Sequence, residues 1–222
     1  MKSTLYIDIE TIPGPESGKD AITVKPPGNM TKQETIDKWF VEKGEKAKDD
    51  IYRKQSFNGG YGQICSLSFA VDDGQVFGYK IQTRADEKEG LEMAISQISL
   101  ILSDVGNPNP VLCGHYISGF DLKFIMHRCI IHGILVPTWM RPHAKPWDVG
   151  IRDTTILWAG ARDTIGLDEL CGILGLEGKT GMTGKDVYDY WLAGKHDEIS
   201  EYCNSDVEKV RQINKIFEGV GI

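Results

Sequence analysis

The chain has 222 residues, 41% of them hydrophobic and 26% charged, which is ordinary for a globular protein and ample to bury a core in one domain. Its net charge of −7 argues against coating nucleic acid through overall charge, although carboxylates that hold divalent cations create local positive potential. No apolar run approaches the roughly 18–20 residues of a membrane span, "MKST" does not resemble a signal peptide, and five dispersed cysteines without a C-x-x-C read as reduced thiols of a cytoplasmic protein.

The first element, about residues 4 to 10, alternates as a strand: Leu5, Ile7 and Ile9 on one face, Tyr6, Asp8 and Glu10 on the other. "TIPGPESG" breaks it. Residues 15 to 58 are polar and lysine-rich and read as an insertion of one or two helices over the core, with a thin apolar face of Ile36, Trp39, Phe40 and Ile51. "QICSLSFAV" and "QVFGYKI" are strands joined by "DDG", a strong hairpin signal. Residues 86 to 103 form an amphipathic helix through Leu91, Ala94, Ile95, Ile98, Ile101 and Leu102, stopped by "GNPNP" ahead of a buried strand, "VLCGHY". A helix over 120 to 132 follows, then a proline-broken loop, then a strand over "IRDTTILWA". Short helices at 167 to 174 and 184 to 192 and a long one at 197 to 218 complete the chain. The order predicts an α/β fold whose sheet starts antiparallel and finishes parallel.

Three of these elements, which should pack together, each offer a carboxylate at an inward position. Asp8 and Glu10 share a strand face with Tyr6. The stripe of the last helix runs Ile199, Tyr202, Cys203, Val210, Ile213 and Phe217, and Asp206 interrupts it one turn after Tyr202. Asp121 leads the Ile125, Cys129 and His132 face of its helix. Several inward carboxylates are costly unless neutralised, and a hard divalent cation with oxygen ligands is the economical neutraliser. By contrast, His127, Cys129 and His132 fit no zinc spacing, and "GKTGMTGKD" fails the phosphate-loop pattern.

"DIET" (Asp8, Glu10), "FD" (Asp121) and "YCNSD" (Tyr202, Asp206) resemble the three motifs of the DEDD 3′–5′ exonucleases, in the branch whose third motif carries a tyrosine. The chain looks most like the proofreading exonuclease domains of family B DNA polymerases in stand-alone form, from residue 4 to about 217. The second motif usually has an asparagine in a "GHN" context; here the stretch reads "GHYISGFD", with Tyr116.

The resemblance implies an RNase H-like mixed sheet flanked by helices and a single exonuclease domain over 1–222. It also implies two Mg²⁺ or Mn²⁺ ions clamping the scissile phosphate. Asp8 would bridge both ions, Glu10 and Asp206 would complete the first site, and Asp121 would hold the second largely through water. Tyr202 would orient the attacking water, because an unperturbed tyrosine, with a pKa near 10, is a poor base. The expected partners are 3′ ends of single-stranded DNA or RNA, DNA favoured, and a polymerase or other replication or repair protein acting in trans, with no membrane. Phe120 and the backbone after Glu10, at Thr11 and Ile12, are candidates for gripping the terminal nucleotide, with Lys179 and Lys185 reaching phosphates from the glycine-rich loop. Two other readings stay open: a non-catalytic nucleic-acid-binding accessory subunit, and an endonuclease or resolvase on the same fold.

Overall fold

The computed structural model describes residues 2–178 and 181–222. Five strands, β1 (Thr4–Ile12), β2 (Gln63–Val71), β3 (Phe77–Lys80), β4 (Val111–Gly114) and β5 (Ile151–Asp153), form one sheet in the order β3-β2-β1-β4-β5. The β1–β2 and β2–β3 pairs are antiparallel, and the β1–β4 and β4–β5 pairs are parallel, as the order of elements predicts. Helices α3 (Glu87–Asp104) and α4 (Asp121–His132) cover one face, where Leu5, Ile7 and Ile9 pack against Leu91, Ile98, Leu122 and Ile125. The other face receives α8 (His196–Gly219), whose Val207 and Val210 pack on Tyr6. The alternation of β1 therefore points Asp8 and Glu10 at α8.

The sheet differs from expectation at its parallel edge. "VLCGHY" is a strand only to Gly114, because Tyr116 adopts a left-handed conformation with φ +61°. "IRDTTILWA" is a strand only to Asp153, and Thr154–Ala159 form helix α5. β5 pairs with β4 only over Ile151–Asp153, opposite Leu112–Gly114. Once β4 ends, the β-branched Thr154, Thr155 and Ile156 have no ladder to join, and their strand propensity is overridden.

The insertion contains α1 (Gln33–Trp39), a π-helical stretch (Phe40–Gly44) and α2 (Glu45–Arg53). Its anchor is not the thin apolar face read from the sequence, since Phe40 is 42% and Ile51 43% exposed. Tyr52 anchors it instead, fully buried among Ile12, Met182 and Tyr188 and donating its hydroxyl to the Gly14 carbonyl at 2.7 Å. The helices α6 (Leu167–Ile173) and α7 (Val187–Leu192) buttress α8. No helix among the described residues is long and apolar enough to cross a membrane.

One buried polar knot ties α3 and α4 to the sheet. Glu87, with no exposed surface, accepts from the Ile64 backbone N–H (2.8 Å), Gln63 Nε2 (3.1 Å), Arg128 Nε (2.8 Å) and Arg128 Nη2 (2.5 Å), with His132 Nε2 at 2.8 Å. Burial alone would raise its pKa; Arg128, His132 and the Ile64 N–H more than reverse that and hold the carboxyl below its usual range.

Candidate active site

β1 carries the centre of the site because it outruns its neighbour. β4 pairs with it only from Thr4 to Tyr6, so beyond Tyr6 that edge of β1 is open. The Ile9 N–H, which has lost its ladder partner there, donates to Asp121 Oδ1 at 3.2 Å. Asp121 is the first residue of α4, and this bond draws its carboxylate to the open edge. On the other side, Asp8 lies opposite Ser68 and Glu10 opposite Ser66, and the register shifts between Glu10 and Thr11. Such a bulge re-aims the side chains around it.

The small serines leave room for α8. Ser68 Oγ donates to Asn204 Oδ1 at 2.8 Å, and α8 comes so near β3 that a Cβ on Gly78 would lie 2.5 Å from that oxygen. This seats Tyr202, Cys203 and Asp206 above β1. Cys203 Sγ donates to Asp8 Oδ2 at 3.3 Å. Carboxylate oxygens of Asp8, Glu10 and Asp206 all lie within 4.8 Å of one another.

The electrostatics of this cluster are unfavourable as it stands. Burial, then the charges of Asp121, Glu10 and Asp206, push the Asp8 carboxyl well above its ordinary pKa. Burial, Asp206 and Asp121 do the same to Glu10. Asp121 is raised by burial to about 7 despite its bond from Ile9. The Tyr202 hydroxyl is raised by burial and by Asp206, Glu10 and Asp8, so it stays protonated through the working range. Among the described residues one cation approaches: buried Lys209 contacts Asp206 at 2.9 Å and Asp168 at 3.3 Å, with its ammonium 5.8 Å from the Tyr202 ring centroid. Four clustered carboxyls with, among the described residues, a single ammonium on one of them make a hard-oxygen set that fits divalent cations.

A cleft of about 660 Å³ opens beside the cluster, lined by Asp8, Glu10, Thr11 and Asp121 together with Phe57, Tyr116, Phe120 and Lys185. Of the residues expected to grip substrate, Thr11, Phe120 and Lys185 therefore line it. Thr11 also donates its hydroxyl to the Ser56 carbonyl at 2.7 Å, tying β1 to the end of the insertion. Ile12 is not among the residues that line the cleft, and its side chain is buried with Tyr52 and Cys65. Lys179 lies outside the described residues. Tyr202 and Asp206 are not part of the cleft wall and meet the cluster from α8.

Sequence reading passes over several residues here. Lys209 follows Asp206 by three residues, a helical spacing that could have flagged the pair. Phe57 looks like one more residue of a polar insertion, yet it is 69% exposed in the cleft wall. Asp153, fully buried, accepts from Tyr116 N (3.0 Å), Ser118 N (3.1 Å) and Ser118 Oγ (2.6 Å) and so shapes the loop that delivers Asp121. His115 lines the cleft, but it is no free base. Its Nε2 lies 2.8 Å from the Ile165 carbonyl and its Nδ1 2.9 Å from the Thr154 hydroxyl.

Comparison with known proteins agrees with this architecture. The family model described as "predicted 3′–5′ exonuclease related to the exonuclease domain of PolB" matches residues 57–210. Curated protein sequences give no match. Among solved structures, the family B DNA polymerase of the hyperthermophilic archaeon Pyrobaculum calidifontis superposes with a TM-score of 0.59 at 13% identity, covering 98% of this chain. The chain spans 24% of that polymerase, and the likeness is one of fold, an RNase H-like mixed sheet flanked by helices. With the family model running from the end of the insertion to α8, over well over half of the sequence, this chain belongs to the predicted 3′–5′ exonucleases related to the exonuclease domain of PolB.

Proposed function

We propose that the chain removes nucleotides from the 3′ end of single-stranded nucleic acid, with DNA as the favoured substrate, releasing nucleoside 5′-monophosphates with the help of two Mg²⁺ or Mn²⁺ ions. The observation that carries this reading is the convergence of Asp8, Glu10 and Asp206 oxygens within 4.8 Å, with Asp121 held at the same strand edge by the Ile9 N–H.

Asp8, Glu10 and Asp206 would hold one ion, and Asp8 with Asp121 the other. Bound there, the pair would supply an activated water and would compensate the charge on the departing 3′-oxygen. The chain's own residues do the rest. As the water oxygen bonds to phosphorus the bond to the 3′-oxygen breaks; the proton the water gives up passes to bulk solvent and the 3′-oxygen takes one from it, so the products are a nucleoside 5′-monophosphate and a strand with a new 3′-hydroxyl. Tyr202, kept neutral by burial and by its acidic neighbours, orients that water by hydrogen bond and does not take its proton. Phe120 and Thr11 wall the cleft where the terminal nucleotide enters. A polymerase or another repair protein acting in trans is the partner this activity suits.

The test is a 5′-labelled single-stranded DNA oligonucleotide, its RNA counterpart and a circular single strand, each incubated with Mg²⁺ or Mn²⁺. Linear DNA should shorten stepwise from its 3′ end, EDTA should stop it, and the circle should survive. Cleavage of the circle would point to an endonuclease. Intact linear substrates in both metals, with binding retained, would point to an accessory subunit.

Tyr202→Phe separates orientation from metal holding. It should lower kcat by roughly 10²-fold, the lower end for losing a positioned hydrogen-bond donor, while the rise in Tm on adding Mn²⁺ stays as in the wild type. Loss of that rise would make Tyr202 part of the ion-holding set instead.

A further inference from the structure

Tyr116 stands where three cavities meet. It lines the carboxylate cleft, a groove of about 410 Å³ behind it, and a smaller pocket of about 340 Å³ against His115, Thr155 and Ile165. The groove is lined by Lys123, His143, Lys145 and Trp147 from α4 and the proline-broken loop. Its wall contains no carboxylate, in a chain whose Asp and Glu outnumber Lys and Arg by 32 to 25. Among the described residues, no acidic side chain pairs with the ammonium of Lys123 or Lys145. Asp148 Oδ2 accepts from the Lys145 backbone N–H, not its ammonium, at 2.8 Å. Trp147 stands 70% exposed at the groove.

Tyr116 itself is held in a conformation that a bulky residue rarely adopts. Its backbone is fixed at φ +61° by the bond to buried Asp153, and its ring lies so close over Gly119 that a Cβ there would sit 2.4 Å from it. Backbone strain kept at the lip of a cleft is a mark of function, and here it plants an aromatic ring, 48% exposed, between the acids and the bases.

We propose that this groove binds the strand upstream of its terminal nucleotide: Lys123 and Lys145 take two backbone phosphates, and Trp147 stacks on a base, with Tyr116 as the divider between terminal and upstream positions. The pairing of cations for phosphates with an aromatic face for bases is the chemistry of a single-strand track. The assignment of which end lies in the cleft rests on the exonuclease reading above; the groove's affinity for a strand does not.

The experiment uses the Asp8→Ala protein in EDTA, so that binding is read without cleavage, and fluorescence anisotropy with 5′-labelled thymidine di- and hexanucleotides. Lys123→Gln with Lys145→Gln should weaken the hexanucleotide about 10-fold at low salt and reduce the slope of log K against log salt by about 1.4, two phosphates at about 0.7 each for a single strand. Trp147→Ala should weaken it at least 5-fold, the low end of a lost stack. The dinucleotide, too short to pass Tyr116, should bind all variants equally. Equal losses for both lengths, or none for the hexanucleotide, would overturn the proposal. If the wild-type protein with Mn²⁺ degrades no strand while the length-dependent losses appear, the exonuclease reading fails and the groove stands.

Discussion

Asp8→Asn is expected to abolish hydrolysis, lowering kcat on the order of 10³-fold, while raising the Tm of the metal-free protein at pH 8. Both follow from one fact: burial, then the charges of neighbouring carboxylates, pushes the pKa of Asp8 and Glu10 upward, and burial raises that of Asp121 beside them. A carboxyl raised in the folded state favours folding when protonated, below its unfolded pKa of about 4. That contribution is lost as pH rises through the folded value, which for Asp121 is about 7. The metal-free wild type should therefore lose Tm steadily from about pH 4 to beyond pH 7. The variant, with one charge fewer in the cluster, should show a shallower decline. Mn²⁺ at 10 to 100 times its Kd should return about 3–10 °C to the wild type at pH 8, less at pH 5.5, and little to the variant. A variant that melts lower than wild type at pH 8 in EDTA would mean that the carboxylates do not strain the empty site.

Physical chemistry explains why parts of this site can be read from sequence and others cannot. The antiparallel hairpin is written in "DDG" between two alternating runs, and local turn chemistry decides it. Asp206 stands out because it interrupts a helical apolar stripe, and Asp8 and Glu10 because two carboxylates sit side by side on the second face of a strand rich in β-branched residues; the periods of strand and helix are local properties. Asp121 is visible only as the residue that leads a helical face. What holds it there, an Ile9 N–H orphaned by the early end of β4, depends on how two distant segments pair. The same holds for β5. Thr154, Thr155 and Ile156 carry strand propensity, and only the length of β4 denies them a partner. Asp153 and Phe57 break no pattern in sequence: one is a polar residue at a strand end, the other an aromatic in a polar insertion. Their roles come from tertiary contacts, so nothing local marks them.

Arg128→Met is expected to cost about 3–5 kcal/mol of stability, the loss that follows when one partner of a buried ion pair is removed. Glu87 has no exposed surface, and without Arg128 it would keep only His132, Gln63 and the Ile64 N–H around a full negative charge. Arg128 also donates to the Gly59 carbonyl at 3.2 Å, so its loss loosens the segment that brings Phe57 to the cleft. Because the Glu87 carboxyl is held below its usual pKa, its contribution is present above the unfolded value of about 4.3 and vanishes as pH falls through the folded one. The wild type should thus lose this stabilisation in acid, and the variant should have little of it to lose. Adding Glu87→Gln to Arg128→Met should recover part of the loss, since the stranded charge disappears along with its partner. Chemical denaturation of the three proteins at pH 7 and pH 4 checks this. If the double variant is no more stable than Arg128→Met at pH 7, packing rather than charge is what Arg128 contributes. The knot matters to catalysis through distance: α4 presents Asp121 at one end and is pinned by Arg128 two turns on. Slack at the pin should appear as a weakened response to Mn²⁺ even where the single variant is still folded.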